Sequence, residues 1–308
     1  MIILTLFGSA AALLLGVCCW IFVRCFVRWP MPHERVEYPR GGVYSRCWDR
    51  LVELVEAMER EPYEEARILA RDGVPLHGRY YRFGDGVPTH ILLHGYRGSY
   101  QDMCGCFKIA KELGHNVLLV SQRAHGKSGG RVITFGVRER LDCVDWARFI
   151  AEKTPEMPIV LWGVSMGAAT VLMASAEGLP PQVAGIVADC PYTSASAIIR
   201  SVCRRNLGLP PALAMPLVRL SARVYGGFRL SDGDALAAVA RARVPILLVH
   251  GGIDALVPCS MSRELAAACA SRATLVTVPT ADHGIAYMTD PAAYTCAMKV
   301  FIKSILGG

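Results

Sequence analysis

The chain has 308 residues, of which 53% are hydrophobic and 19% charged, with a formal net charge of +7. A composition this apolar excludes a disordered chain, and glycines and prolines scattered without a period exclude collagen-like and low-complexity classes. The basic excess is mild, has no stripe of interleaved aromatics and carries no nucleic-acid-binding motif, so no nucleic-acid partner is expected.

The first element is apolar. Ile2 to Val23 contains no formally charged side chain and is long enough, at about 1.5 Å per residue, to cross a bilayer core. A cleaved signal peptide would need a basic start and a small-residue cleavage site. The run has neither and exits through Cys18, Cys19, Trp20, Ile21 and Phe22. Residues 1–29 are therefore expected to form an uncleaved transmembrane anchor. Trp20 and Trp29 would be its interfacial residues, and Gly8, Ala12 and Gly16 a small-residue face. Arg24, Arg28, Arg35, Arg40, Arg46 and Arg50 all follow the run. The positive-inside rule then puts the remainder of the chain in the cytoplasm. The twelve cysteines have no zinc spacing and read as free thiols in a reducing compartment.

Residues 30–45 read as a linker, and residues 46–308 as one α/β domain. A helix is expected at Cys47–Arg60, then two strands, Ala66–Ala70 and Leu76–Phe83, around the turn Asp72-Gly73. Strands follow at His90–Leu93, Asn116–Val120, Ile159–Trp162, Val183–Ala188, Ile246–His250 and Thr274–Val278. Between and after them lie helices at Gln101–Leu113, Arg138–Lys153, Met166–Glu177, Ser260–Ser271 and Pro291–Leu306. This alternation predicts a mostly parallel sheet with a leading antiparallel hairpin and helices on both faces. The stretch 195–243 lacks a strand. It reads as a helical cap inserted at the carboxyl edge of the sheet, interrupted by Pro210-Pro211, Pro216 and Gly226-Gly227.

The chemistry concentrates after the strands. Gly163-Val164-Ser165-Met166-Gly167 stands between a strand and a helix, the context in which G-x-S-x-G marks a nucleophilic serine on a sharp turn. The loop His94-Gly95-Tyr96 can bring the Tyr96 backbone N–H opposite that of Met166, giving two donors for an oxyanion. A serine needs a base and the base an orienting acid. Asp254 and His283 each follow a later strand, so Ser165, Asp254 and His283 can converge above one sheet edge. Asp189 is a second acid beside the same edge, read as a hydrogen-bonding residue of its own loop. His94 and His125 read as loop organisers, and Asp282 as a turn residue.

The motifs HGYRGS (94–99), GVSMG (163–167), GGIDALVP (251–258) and ADHG (281–284) resemble those of the α/β-hydrolase superfamily over about residues 66–306. More narrowly, RAHGKSGG (123–130), ITFG (133–136) and ADCPYTS (188–194) are similar to a group of serine hydrolases whose members often carry one N-terminal membrane anchor. The resemblance implies Ser165, Asp254 and His283 as catalytic triad and Tyr96 and Met166 as oxyanion donors, with no metal or organic cofactor. The expected activity is hydrolysis of acyl or lipid-like carboxylic esters. Peptidase, amidase or thioesterase chemistry on the same triad is the alternative, as is a non-catalytic binding protein on a hydrolase scaffold.

Overall fold

A computed structural model describes residues 2–28 and 44–307. The expected linker at 30–45 and Trp29 therefore lie, but for Tyr44 and Ser45, outside the described residues. The helix α1 (Ile2–Phe26) comes first, then α2 (Trp48–Glu59). The hairpin β1 (Glu64–Leu69) and β2 (Pro75–Tyr81) follows. The alternation continues through β3 (Thr89–Leu93), α3 (Cys104–Glu112), β4 (Asn116–Ser121), α4 (Glu139–Lys153), β5 (Ile159–Val164), α5 (Met166–Ala174) and β6 (Val183–Asp189). The helices α6 (Ala195–Arg205), α7 (Pro211–Val224) and α8 (Ala235–Val239) intervene before β7 (Ile246–Gly251). The chain closes with α9 (Ser260–Ala268), β8 (Ala273–Val278), α10 (Ala286–Thr289) and α11 (Pro291–Leu306).

The eight strands form one sheet in the order β1-β2-β4-β3-β5-β6-β7-β8. β2 runs antiparallel to β1 and to β4, and the remaining pairs are parallel. The central strands β3, β4, β5 and β7 are buried throughout and mostly apolar because both their faces are covered, and successive side chains go to opposite layers. Ile91, Leu93, Leu118, Leu161 and Leu248 enter one layer, with Trp146 of α4 and Leu172 of α5. Leu92, Leu119, Val160, Trp162 and Leu247 enter the other, with Phe107 of α3 and Met298 of α11. Burying each such aliphatic side chain stabilises the fold by about 1.5–3 kcal/mol.

Three expectations need correction. Among the described residues no helix is long and apolar enough to cross a membrane, so a spanning anchor within 1–29 is unsupported. The C-terminal part of α1 lies instead on the domain itself. Cys18, Phe22 and Phe26 are buried, and Phe26 meets Phe135 and Phe228 edge-on at 5.8 and 5.4 Å between ring centroids. The Tyr225 hydroxyl donates to Leu15 O at 2.9 Å. Second, Pro216 sits inside α7 rather than ending it, because Met215, Val218 and Ala222 bury the helix on either side of it. Third, the helix expected at Gln101–Leu113 opens as a 3₁₀ turn over Tyr100–Met103, with the Ser99 hydroxyl accepting from Gln101 N.

Candidate active site

Ser165 stands between the end of β5 and the first residue of α5 with φ of +55°. A residue with a side chain is held in that region only by its surroundings. Here the surroundings leave little freedom. A Cβ on Gly163 would lie 2.2 Å from the Gly167 carbonyl carbon, and one on Gly167 would lie 2.1 Å from Leu93 O. The turn can close only with glycine at both places. The Ser165 N–H donates to Asp189 O at 2.8 Å, which ties the turn to β6.

His283 and Asp254 arrive from the loops after β8 and β7. His283 Nε2 lies 2.9 Å from Ser165 Oγ, and His283 Nδ1 lies 2.7 Å from Asp254 Oδ2. The sequence-selected serine, histidine and aspartate thus form one continuous hydrogen-bonded chain. Asp254 Oδ1 accepts from the backbone N–H groups of Leu256 and Val257. Burial alone would raise the Asp254 carboxyl. Hydrogen bonds from His250 and His283 outweigh it and hold the group well below the usual carboxylate range. Asp282 accepts from Ala255 N and His283 N, so it laces the two loops together.

The loop after β3 comes up beside Ser165 because β3 and β5 are neighbours, with Leu93 opposite Gly163. A Cβ on Gly95 would be 3.6 Å from Ser165 Cβ, so the backbone entering Tyr96 passes against the serine. Met166 begins α5, where the first N–H groups of a helix lack intrahelical partners. Two buried histidines shape the neighbouring turns. His94 Nδ1 donates to Gly95 O and its Nε2 accepts from Gln122 N. His125 Nδ1 donates to Arg123 O and its Nε2 accepts from Arg97 N at 3.0 Å. Burial, and then the nearness of His94, push His125 down to about 3, so it is neutral as that pattern requires.

Asp189 does not reach His283. Its Oδ2 accepts from the Tyr294 hydroxyl of α11 at 3.0 Å, a partner on another element rather than in its own loop. Sequence reasoning missed His250, whose Nε2 lies 3.3 Å from Asp254 Oδ2. Its only signal was its place at the end of a strand four residues before the acid. Cys190 was missed too. Its donor atom and those of Asp254 and His283 lie within 4.8 Å of one another. Such a trio could approach a metal ion, but Asp254 and His283 are already bonded to each other, and His283 to Ser165.

Residues 91–295 match the alpha/beta hydrolase family. The chain belongs to that family. Among curated relatives of this alpha/beta hydrolase, an uncharacterized protein of Bacillus subtilis, YqkD, is 24% identical over 85% of this chain and 87% of its own length. Among solved structures, the Pyrococcus furiosus esterase Pf2001 superimposes with a TM-score of 0.68 at 24% identity, covering 91% of this chain and 98% of that one. Est1E of Butyrivibrio proteoclasticus, solved with ferulic acid bound, superimposes with a TM-score of 0.62 at 20% identity, over 80% of this alpha/beta hydrolase and all of that chain. At these identities the two likenesses establish the shared fold.

Proposed function

We propose that this hydrolase cleaves carboxylic esters through an acyl-enzyme, with Ser165 as nucleophile, His283 as base and Asp254 as orienting acid. The observation that carries the reading is the chain of hydrogen bonds from Ser165 Oγ through His283 to Asp254. With Nδ1–H donated to Asp254, the neutral imidazole presents its Nε2 lone pair to the serine hydroxyl. His283 takes the serine proton as Oγ attacks the carbonyl carbon. The Tyr96 and Met166 N–H groups receive the oxyanion. His283 then returns the proton to the leaving alcohol as the carbon–oxygen bond breaks, and water repeats the sequence on the acyl-serine. Esters are favoured over amides because an alkoxide leaves more easily than an amide nitrogen.

A fluorophosphonate probe tests the nucleophile: it should label the native chain and leave Ser165→Ala unlabelled. A series of nitrophenyl esters of rising acyl length, run beside matched thioesters and anilides, tests the bond. Faster turnover of thioester or anilide would replace the ester reading. A chain that neither labels nor turns over any of them would be a binding protein on this scaffold.

We also propose that α1 meets a membrane, with the catalytic domain on the cytoplasmic side. What supports this is an apolar helical surface that the described residues leave uncovered. Leu13 is 71% and Trp20 66% exposed, and Leu14, Leu15, Val17 and Val23 are exposed as well. A helix apolar on all sides needs an apolar surround. Beside it Leu213 is 72% exposed, with Leu207 and Leu209 in the preceding turn. Arg204, Arg205, Arg219 and Arg223 are exposed there too. No acidic residue occurs in 1–33 or between Asp189 and Asp232. Anionic lipid attracts each nearby arginine by about 1 kcal/mol. The full chain should float with phosphatidylglycerol vesicles more than with phosphatidylcholine alone, and salt should weaken the preference. Failure to float with either would end this reading, and so would a stable dimer that shields α1 from both. Labelling of the exposed Cys296 by an impermeant reagent in intact cells would overturn the cytoplasmic placement.

A further inference from the structure

We propose that the last turn of α1 sets the oxyanion hole, acting through the side chains of Tyr96 and Arg97 as positioning residues. The inference rests on the reading of Ser165 as nucleophile and of the Tyr96 N–H as an oxyanion donor.

The final carbonyls of a helix have no partners within it. In α1 those partners come from the loop beside Ser165. Arg97 Nη2 donates to Arg24 O at 2.6 Å, and the Tyr96 hydroxyl donates to Cys25 O at 2.9 Å. Phe26 O accepts from Ile133 N at 2.7 Å. Consecutive carbonyls of the helix end thus hold consecutive side chains of the loop. The Tyr96 hydroxyl is committed to α1, so Tyr96 can offer the reaction only its backbone N–H.

The same loop is gripped elsewhere. The Tyr96 ring stacks on Phe135 at 4.9 Å, and Phe135 meets Phe26 of α1 at 5.8 Å. Arg97 has φ of +55°, a conformation a residue with a side chain keeps only when it is held. Its backbone N–H is held by His125 Nε2 at 3.0 Å. The turn that carries His125 is held in its own place by Arg28, two residues past the end of α1, which donates to Ser128 O at 3.1 Å and to Gly126 O at 2.5 Å. The bonds of Tyr96 and Arg97 grip the loop that lies against Ser165 directly, and those of Arg28 and His125 hold the turn packed beside it. An oxyanion donor works only within a narrow distance of the charge it receives, and losing one donor costs about 10²–10³ in kcat. A loop released from α1 keeps its donor but not its aim, so the loss should be a fraction of that range.

The full-length chain with Tyr96→Phe, which keeps the stacked ring and removes only the bond to Cys25 O, tests the idea. Expected is a fall in kcat of about tenfold on a nitrophenyl ester with KM within about twofold. Affinity for a trifluoromethyl ketone, which forms a tetrahedral oxyanion on the serine, should fall in parallel. Arg97→Ala should behave alike, and Arg97→Lys, which can still reach Arg24 O, should recover most of the loss. Unchanged kcat in both Tyr96→Phe and Arg97→Ala overturns the proposal. So does a loss of activity that follows only the amount of folded protein while ketone affinity stays native. If instead Ser165→Ala keeps its activity, the nucleophile reading itself has failed. A dead Ser165→Ala beside a fully active Tyr96→Phe removes only the role of α1.

Discussion

The carboxylate oxygen of Asp254 that accepts from His283 at 2.7 Å also lies 3.3 Å from His250 Nε2. His250 Nε2 shares its proton with Val257 O at 2.9 Å, and its Nδ1 lies 2.6 Å from Ser262 Oγ. The acid is therefore supported from β7 and α9 as well as by its own loop. Hydrogen bonds to charged groups contribute about 1.5–3 kcal/mol each. His250→Leu should lower the unfolding free energy by about that amount in urea titration. An unchanged midpoint would show that the imidazole carries no weight there.

Asp254 and Asp189 separate on activity. Asp254→Asn removes the charge that fixes the His283 tautomer, a change that can lower kcat by about 10⁴. Asp189→Asn keeps the bond to Tyr294 and leaves His283 with its own partner. Its kcat should stay within about tenfold of native. Steady-state kinetics on both folded variants decide it, and the opposite ranking would exchange the two roles.

Asp189 should instead appear in the pH dependence of stability. Burial raises its carboxyl from 3.8 to about 6, with the Tyr294 hydroxyl bond opposing. Between those values the folded protein keeps a proton that the unfolded chain has lost. Stability from this group is thus greatest below about pH 4 and falls as pH rises through 6. The difference is about 2–3 kcal/mol. Asp189→Asn lacks this dependence, so its stability relative to native should rise by that amount between pH 4 and 7. A flat difference across that range would mean that Asp189 ionises as an ordinary aspartate.

Gly167→Ala should fail at the turn rather than in the chemistry. Its Cβ would meet Leu93 O at 2.1 Å and His94 O at 2.6 Å, both backbone atoms of the neighbouring strand end. Displacing them moves the loop that leads to Tyr96. Fluorophosphonate labelling should slow by at least about 100-fold, with a lower melting temperature. Native labelling in a folded Gly167→Ala would show that the turn has slack.

The sheet was legible because strands buried on both faces leave continuous apolar runs, as in Ile91–Leu93 and Val117–Val120, wherever their partners lie. Ser165, Asp254 and His283 were legible because each follows such a run in an order this architecture uses. The docking of α1 was not, because an apolar run reads alike whether lipid or protein covers it. Its partners, Leu217, Tyr225 and Tyr96, are remote in sequence. Pro216 misled for a related reason: local propensity ends a helix there, while packing of Met215 and Val218 carries it through. His250 could not be told from an ordinary strand residue, since its role depends on a chain reversal that brings Val257 and Ser262 against it.

The helix α1 is made well before its partners. The hydroxyl of Tyr225 reaches Leu15 across 210 positions, and the Cys18 thiol faces Leu217 O across 199. Contacts so distant in sequence form only after the loops between them have closed. During synthesis α1 therefore waits while the sheet and the loops bearing Ser165, Asp254 and His283 assemble. Its seating on α7 and on the Tyr96 loop comes as a closing step, although α1 is made before either of them.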